Sequence, residues 1–432
     1  DVLIINRGSQ IQANGTASQP IVFTSDLALA TPITSIPITS FRQWAGLIIA
    51  GKAPTRKCAT AVNAGGVTCQ NTVEGITAST GRPAFSGGAT PTDSSGSLQF
   101  VQINYAGSFL PGAAAGDDLN GLSLAGVGSG TTIANVQVSN SGDDGIEIFG
   151  GTVDMRNIIV TGAFDDSYDC DEGYIGRTQR MIIVQRRYPA GSGGGPDGFV
   201  ECSNAIGSAV NAAGVQTNPI IANFTFIGVE QSDTGANLKG IGVDASVGGS
   251  PAAAIRLYNG VVVNNLANVG GTTIAGSTPR CLSLTQPDTG GGRGDADAAN
   301  VQINSVLFDC KSNGTGTNPA VSLGRIQNGG TNNSGPTPAE VAAAPGQLGY
   351  VAATLAYPSA PATTFFPSDF PARFVNGANE NGRTAFNTTT LGAFFTSLPF
   401  IGAVQNSSDN WWRGWSCGLE ETAAGTRTNT CQ

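Results

Sequence analysis

The 432-residue sequence predicts an all-β fold, a right-handed parallel β-helix (solenoid) with an irregular carboxy-terminal cap. Three observations predict it. The composition suits short strands and many turns. Acidic segments recur at a fixed spacing. Within each copy, apolar and acidic residues alternate.

Composition comes first. Only 12% of the residues are charged, and the chain holds 61 glycines, 22 prolines and two methionines. Long helices need Glu, Lys, Arg and Leu, which are thin here. Short β-branched runs broken by Gly, Asn and Ser dominate instead, as in all-β proteins.

The repeat follows from aligning "SGDDGIEIF" with "AFDDSYDCD". Asp143 falls on Asp165, Asp144 on Asp166 and Glu147 on Asp169, an offset of 165 − 143 = 22. The same offset places Asn135 on Asn157. A third copy, "GPDGFVECS", puts Asp197 on Asp165, Glu201 on Asp169 and Cys202 on Cys170, an offset of 202 − 170 = 32. The extra residues fit a loop, "RRYPAGSGGGP". Short strands recurring at about this period are the signature of a β-helical coil.

Alternation then assigns faces. Ile146 and Ile148 flank Glu147, Tyr168 and Cys170 flank Asp169, and Val200 and Cys202 flank Glu201. Side chains alternate sides along a strand. The flanking residues are expected inside the solenoid and the three acids outside, in one column. Further rungs are expected at "LIINRGSQIQ", "WAGLIIAG", "LQFVQINYAG", "NGLSLAGV", "IIANFTFIGV", "AAIRLYNGVVVNN" and "NVQINSVLFDC". The solenoid is expected over 1–315. Right-handed connections follow the rule for parallel crossovers.

From 316 to 432 the chain turns rich in Pro, Ala, Thr and Asn, then aromatic, as in "DNWWRGWSCGL". This part is expected to cover an open end or to pack back on the solenoid. "TPAEVAAAPG" is expected to hold one short helix. "DNWWRGW" reads as a buried cluster, with sugar stacking as the alternative. The chain opens in "DVLIINRGSQIQ", already strand-like, so a further segment is expected upstream of residue 1.

Eight cysteines form an even set without a C-x-x-C pair, which argues against a zinc ribbon or redox motif. Spacing suggests bridges between sequence neighbours: Cys58–Cys69, Cys170–Cys202, Cys281–Cys310 and Cys417–Cys431. Cys170 and Cys202 also share one inward column of adjacent rungs. Disulfides imply an oxidising, extracellular or cell-surface location.

Several functions are excluded or disfavoured. The chain has no histidine, which removes Ser-His-Asp and Cys-His catalysis and His-ligated zinc. The net charge of −9 disfavours nucleic acid as a partner. No stretch reaches the roughly 18 apolar residues of a transmembrane helix.

"GSQIQANGTASQPIVFTS", "WAGLIIAGKAP", "NGLSLAGVGSGTTIANVQVSNSGDDGIEIFGGTV" and "PFIGAVQNSSDNWWRGWSCGL" resemble a family of secreted or surface-exposed bacterial proteins, usually described as hypothetical lipoproteins. The resemblance implies a right-handed parallel β-helix of pectin-lyase-like architecture and an additional amino-terminal strand segment. It implies no defined activity.

The acids carry the candidate chemistry. Nine carboxylates and one Arg lie between Ser141 and Gly176. Asp143, Asp144, Glu147, Asp165, Asp166, Asp169, Asp171 and Glu201 are candidate ligands for Ca²⁺, an oxygen-seeking cation that fits a site without histidine. The alternatives are acids serving turns and solvation only, or a site for polysaccharide. Pectate-lyase-type enzymes combine outward acids and Ca²⁺ with an Arg or Lys base, for which Arg256 and Lys239 are the candidates. "GDDGIEI" also resembles, loosely, the paired-carboxylate strand of polygalacturonases, although their histidine motif is missing. The sequence reads as an extracellular, non-enzymatic surface or matrix scaffold, with an end-to-end homopolymer as one form it can take. The alternative is a Ca²⁺-dependent polysaccharide lyase, a glycosidase or a glycan-binding protein.

Overall fold

Two long parallel sheets wind together through the chain. The computed structural model describes residues 1–30, 40–58, 71–76, 84–110, 118–185, 197–204, 215–228, 240–243, 253–264, 281–284, 301–310, 374–419 and 431. Sheet A stacks eight strands in the order β1 (Val2–Ile5), β4 (Gly46–Ala50), β8 (Leu122–Ala125), β10 (Ile146–Phe149), β12 (Tyr168–Asp171), β14 (Gly198–Cys202), β16 (Gly240–Val243) and β18 (Leu282–Leu284). Sheet B begins with β2 (Ile11–Asn14) and β3 (Ile21–Phe23), both paired with β7 (Gly96–Asn104). It continues through β9 (Thr132–Ser139), β11 (Met155–Thr161), β13 (Arg177–Val184), β15 (Ile220–Ile227), β17 (Ile255–Asn264) and β19 (Val301–Cys310). Each coil gives one strand to each sheet, and every pairing within these sheets is parallel. The fold is a parallel β-helix, and every expected rung is a strand.

The lumen is filled by the inward residues of both sheets. Ile146, Ile148, Tyr168, Cys170, Val200 and Cys202 from sheet A meet Ile158, Val160, Met181, Ile183, Phe224 and Phe226 from sheet B. At Gly260, a Cβ would run into the ring of Phe224 in the preceding coil. Glycine there makes room for that ring.

Sheet B carries a bend that simple alternation does not show. Phe100, Asn135, Asn157, Arg180, Asn223, Asn259 and Ser305 all have left-handed φ, between 51° and 64°. Strand register places them at one level in successive coils. A left-handed residue bends a strand and shifts its alternation. Inward positions therefore fall three apart across it: Leu98 and Val101, Ile133 and Val136, Met155 and Ile158. Asn occupies four of these positions because it tolerates this conformation better than other non-glycine residues.

The tail lies along the outer face of sheet B. Phe374, Ile401, Val404, Trp412, Trp415 and Leu419 pack on Ile159, Ile182, Val184, Ile227, Val261 and Leu307. Trp412 and Trp415 are each 1% exposed, so the aromatic cluster is core. The sheet also reads the tail's main chain. Gln137 accepts from Cys417 N (2.7 Å) and donates to Cys417 O (2.9 Å). Gln179 and Asn259 do the same for Thr396 and Phe386. One short helix, α1 (Asp26–Ala30), follows β3, and another, α2 (Ala378–Asn381), sits in the tail. The helix expected in "TPAEVAAAPG" lies outside the described residues.

Cys170 and Cys202 are bonded across adjacent coils with Cα atoms 4.6 Å apart, and Cys417 and Cys431 are bonded within the tail at 4.9 Å. The expected pairs Cys58–Cys69 and Cys281–Cys310 involve side chains outside the described residues.

Candidate functional site

The acidic column exists in register. Glu147 is opposite Asp169, and Asp169 is opposite Glu201, on three successive strands of sheet A. Parallel strands lie about 4.8 Å apart, so like charges are forced close. Carboxylate oxygens of Asp144, Glu147 and Asp169 lie within 4.8 Å of one another. Those of Asp165, Asp166 and Asp197 form a second group of the same size.

Outward does not mean exposed. Asp144 and Glu147 are each 7% exposed and Asp166 4%. A short antiparallel pair, β5 (Asn71–Thr72) and β6 (Phe85–Ser86), roofs this face. Val73, Ile76 and Ala84 of the roof pack on Ile48, Ala125 and Phe149 of sheet A. The roof also brings Glu74, whose side chain hydrogen-bonds Glu147.

Asn120 completes the enclosure. Its Nδ2 donates to Glu147 Oε2 and, at 3.4 Å, to Ser123 Oγ. Its Oδ1 is buried without a hydrogen-bond partner among the described residues. Neither Glu74 nor Asn120 was among the residues expected from sequence. Glu74 sits on an insertion that breaks the repeat. Asn120 could have been found, because Leu122 pairs with Ile146 and so "NGLSL" stands over "DGIEI".

Electrostatics follow from this crowding. Burial pushes the Glu147 carboxyl well above its ordinary value, and Glu74, Asp144 and Asp169 add to the effect. Asp144 is raised well above its ordinary value by burial, then by Asp169, Asp143 and Asp165. Its Oδ1 accepts the main-chain N–H of Asp166 at 2.9 Å, a turn-stabilising role. Half-buried Asp143 is pushed up to about 7 by burial and by Asp165, Asp118 and Glu74, against the pull of Arg42. Arg42 itself is tied to Asp118 (2.8 Å) and lies over the Phe41 and Phe164 rings.

Five of the eight expected ligands, Asp143, Asp165, Asp166, Asp171 and Glu201, fall outside the three-carboxylate cluster. Asp171 accepts the N–H of Glu172 at 2.5 Å and feels Lys57. Glu201 continues the column in register but is not part of either close group. Asp165 is exposed and joins the second group. The expected bases do not reach the column. Arg256 lies on β17 of the other sheet, its Nε donating to Asn218 Oδ1 at 3.1 Å. Lys239 lies outside the described residues.

A family model described as a pectate-lyase-like β-helix domain matches residues 1–337. The chain belongs to this family. Neither the comparison with curated proteins nor that with solved structures finds a match. Within the pectate-lyase-like frame, the chain's oxygen donors fit Ca²⁺ chemically: three carboxylates converge, with the Asn120 carboxamide bonded to one of them. Chemically, the enclosure can hold shared protons or one cation.

Proposed function

We propose that this protein is an extracellular, non-enzymatic scaffold built on a rigid β-helix, its acidic cluster serving as a structural Ca²⁺ site. One observation carries the first part. Both outer faces are used for packing within the chain, sheet A beneath the roof at 71–76 and sheet B beneath the tail at 374–419. A polysaccharide-cleaving site needs its carboxylates open to a polymer, whereas Asp144 and Glu147 are covered. The disulfides favour an oxidising compartment, and no helix among the described residues is long and apolar enough to cross a membrane.

The Ca²⁺ assignment rests on charge. Four carboxyls are pressed together, those of Asp144 and Glu147 buried and those of Glu74 and Asp169 half-buried. Such a group must bind protons or a cation to stay folded. Asp144, Glu147 and Asp169 would hold the ion, with the Asn120 amide oxygen as a neutral fourth donor. End-to-end association is part of the same proposal. Leu3 and Val22 in the first coil are apolar and 37% and 41% exposed.

The deciding experiment is incubation with a panel of acidic and neutral polysaccharides. No release of unsaturated or reducing ends is expected. Release that disappears in Glu147→Gln or Asp169→Asn would replace the scaffold reading with the lyase or glycosidase one.

A further inference from the structure

Beside the acidic cluster, one buried carboxylate holds an amine on one oxygen and a carboxamide on the other. Glu172, just past β12, is 1% exposed. Its Oε1 is ion-paired with Lys57 Nζ, and its Oε2 accepts Asn71 Nδ2 at 2.8 Å. Lys57 comes from a single 3-10 turn, Arg56–Cys58, and Asn71 from β5. The main chain fixes the arrangement as well, since Arg56 N donates to Glu172 O at 2.5 Å.

We propose that Lys57 and Asn71 are a self-processing pair, joined by an intramolecular isopeptide bond whose formation Glu172 promotes. The roles follow from proton bookkeeping. Glu172 takes a proton from the Lys57 ammonium along their ion pair. The neutral Nζ attacks Asn71 Cγ, and a C–N bond forms. Glu172 returns this proton to Asn71 Nδ2, the old C–N bond breaks and ammonia leaves, and Glu172 takes the second Nζ proton as the secondary amide forms. The sum is amine plus carboxamide giving a secondary amide plus ammonia, with no oxidant or cofactor.

A carboxylate shared by both reactants is the arrangement that general acid–base catalysis requires. Holding both reactants on one group supplies proximity. Burial also pushes the Glu172 carboxyl above its ordinary value, against the pull of Lys57. Lys57 Nζ and Glu172 Oε1 are in direct contact, so one proton hop along the ion pair reaches the reactive amine. The bond closes a loop of 71 − 57 = 14 residues and anchors β5 three residues before Glu74. It would lock the roof over the acidic column whether or not that column takes a cation.

Intact-mass spectrometry of the reduced protein tests this. The mass should fall short of the sequence mass by one ammonia. Lys57→Arg, which keeps the ion pair, and Asn71→Ala should each restore the full mass, and so should Glu172→Gln. Digestion with trypsin and a glutamate-specific protease should yield peptide 57–74, uncut after Lys57 and without fragment ions from breaks between 57 and 71. A full-mass parent protein would overturn the proposal. So would a deficit that survives Lys57→Arg, which would place the ammonia loss elsewhere.

Discussion

Glu147 and Asp169 face each other Cα to Cα on adjacent parallel strands, so two like charges share the covered side of one sheet. The folded-state pKa values of Glu147, Asp144 and Asp143 lie above their ordinary values, which penalises the ionised forms in the folded state only. Their stabilising contribution is therefore complete below pH 3.8, the ordinary value for the aspartates. It is lost as pH rises through about 7 for Asp143, and through the raised values of Asp144 and Glu147. In chelator, the thermal midpoint should fall by a few °C or more between about pH 5 and pH 8. Glu147→Gln should show a smaller fall. An unchanged pH profile in that variant would separate Glu147 from the effect.

Ca²⁺ should reverse this trend. Added Ca²⁺ is expected to raise the midpoint at about pH 8 and much less at about pH 5, where protons compete for the same oxygens. Calorimetric titration in buffers of differing ionisation enthalpy should detect proton release. Asp169→Asn should abolish most of the stabilisation, and Mg²⁺ should substitute poorly because it keeps its water shell. A Ca²⁺ response untouched by Asp169→Asn would move the ion elsewhere.

The tail should detach when its anchors are cut. Trp415 is 1% exposed, and burying an aromatic of this size is worth about 3–5 kcal/mol against alanine. Trp415→Ala should expose residues 374–419 to limited proteolysis before the coils are attacked. Gln137→Ala, which removes the reciprocal pair with Cys417, should have a weaker effect in the same direction.

The left-handed ladder in sheet B predicts an asymmetry between two substitutions at Asn157, where φ is 56°. Asn157→Gly should be nearly neutral. Asn157→Val should destabilise by roughly 1–2 kcal/mol, because a β-branched side chain resists this conformation. Urea unfolding of the two variants measures the difference directly.

Much of sheet A was legible because its period is two and its coils repeat. Ile146, Glu147 and Ile148 declare their faces, and the offset of Cys202 from Cys170 sets both register and disulfide. Sheet B was less legible. Asn135 and Asn157 stand out as a repeat, but Phe100, Arg180 and Ser305 at the same level conceal the bend they share. Alternation also tells which side of a sheet a residue takes, not what covers that side. The roof bearing Glu74 lies in an insertion outside the period, so the burial of Glu147 could not be read from the strand. Likewise the Trp cluster reads as core, while its partners, such as Gln102 bonding Trp415 O at 2.6 Å, lie hundreds of residues upstream.

The path of the tail has a mechanical consequence. Its contacts run from Ser305 with Thr384, through Asn223 with Phe400, to Gln102 with Trp415. These anchor strands run from β19 back to β7, six coil spacings or roughly 29 Å along the axis. A bare solenoid flexes by opening the hydrogen-bond ladders between coils. Here one flank carries a splint that crosses those ladders, so the rod should bend more readily toward one side than the other. Under axial pull, the splint and the Cys170–Cys202 rivet share the load that strand pairing alone would bear, and the coils between them should be the last to part.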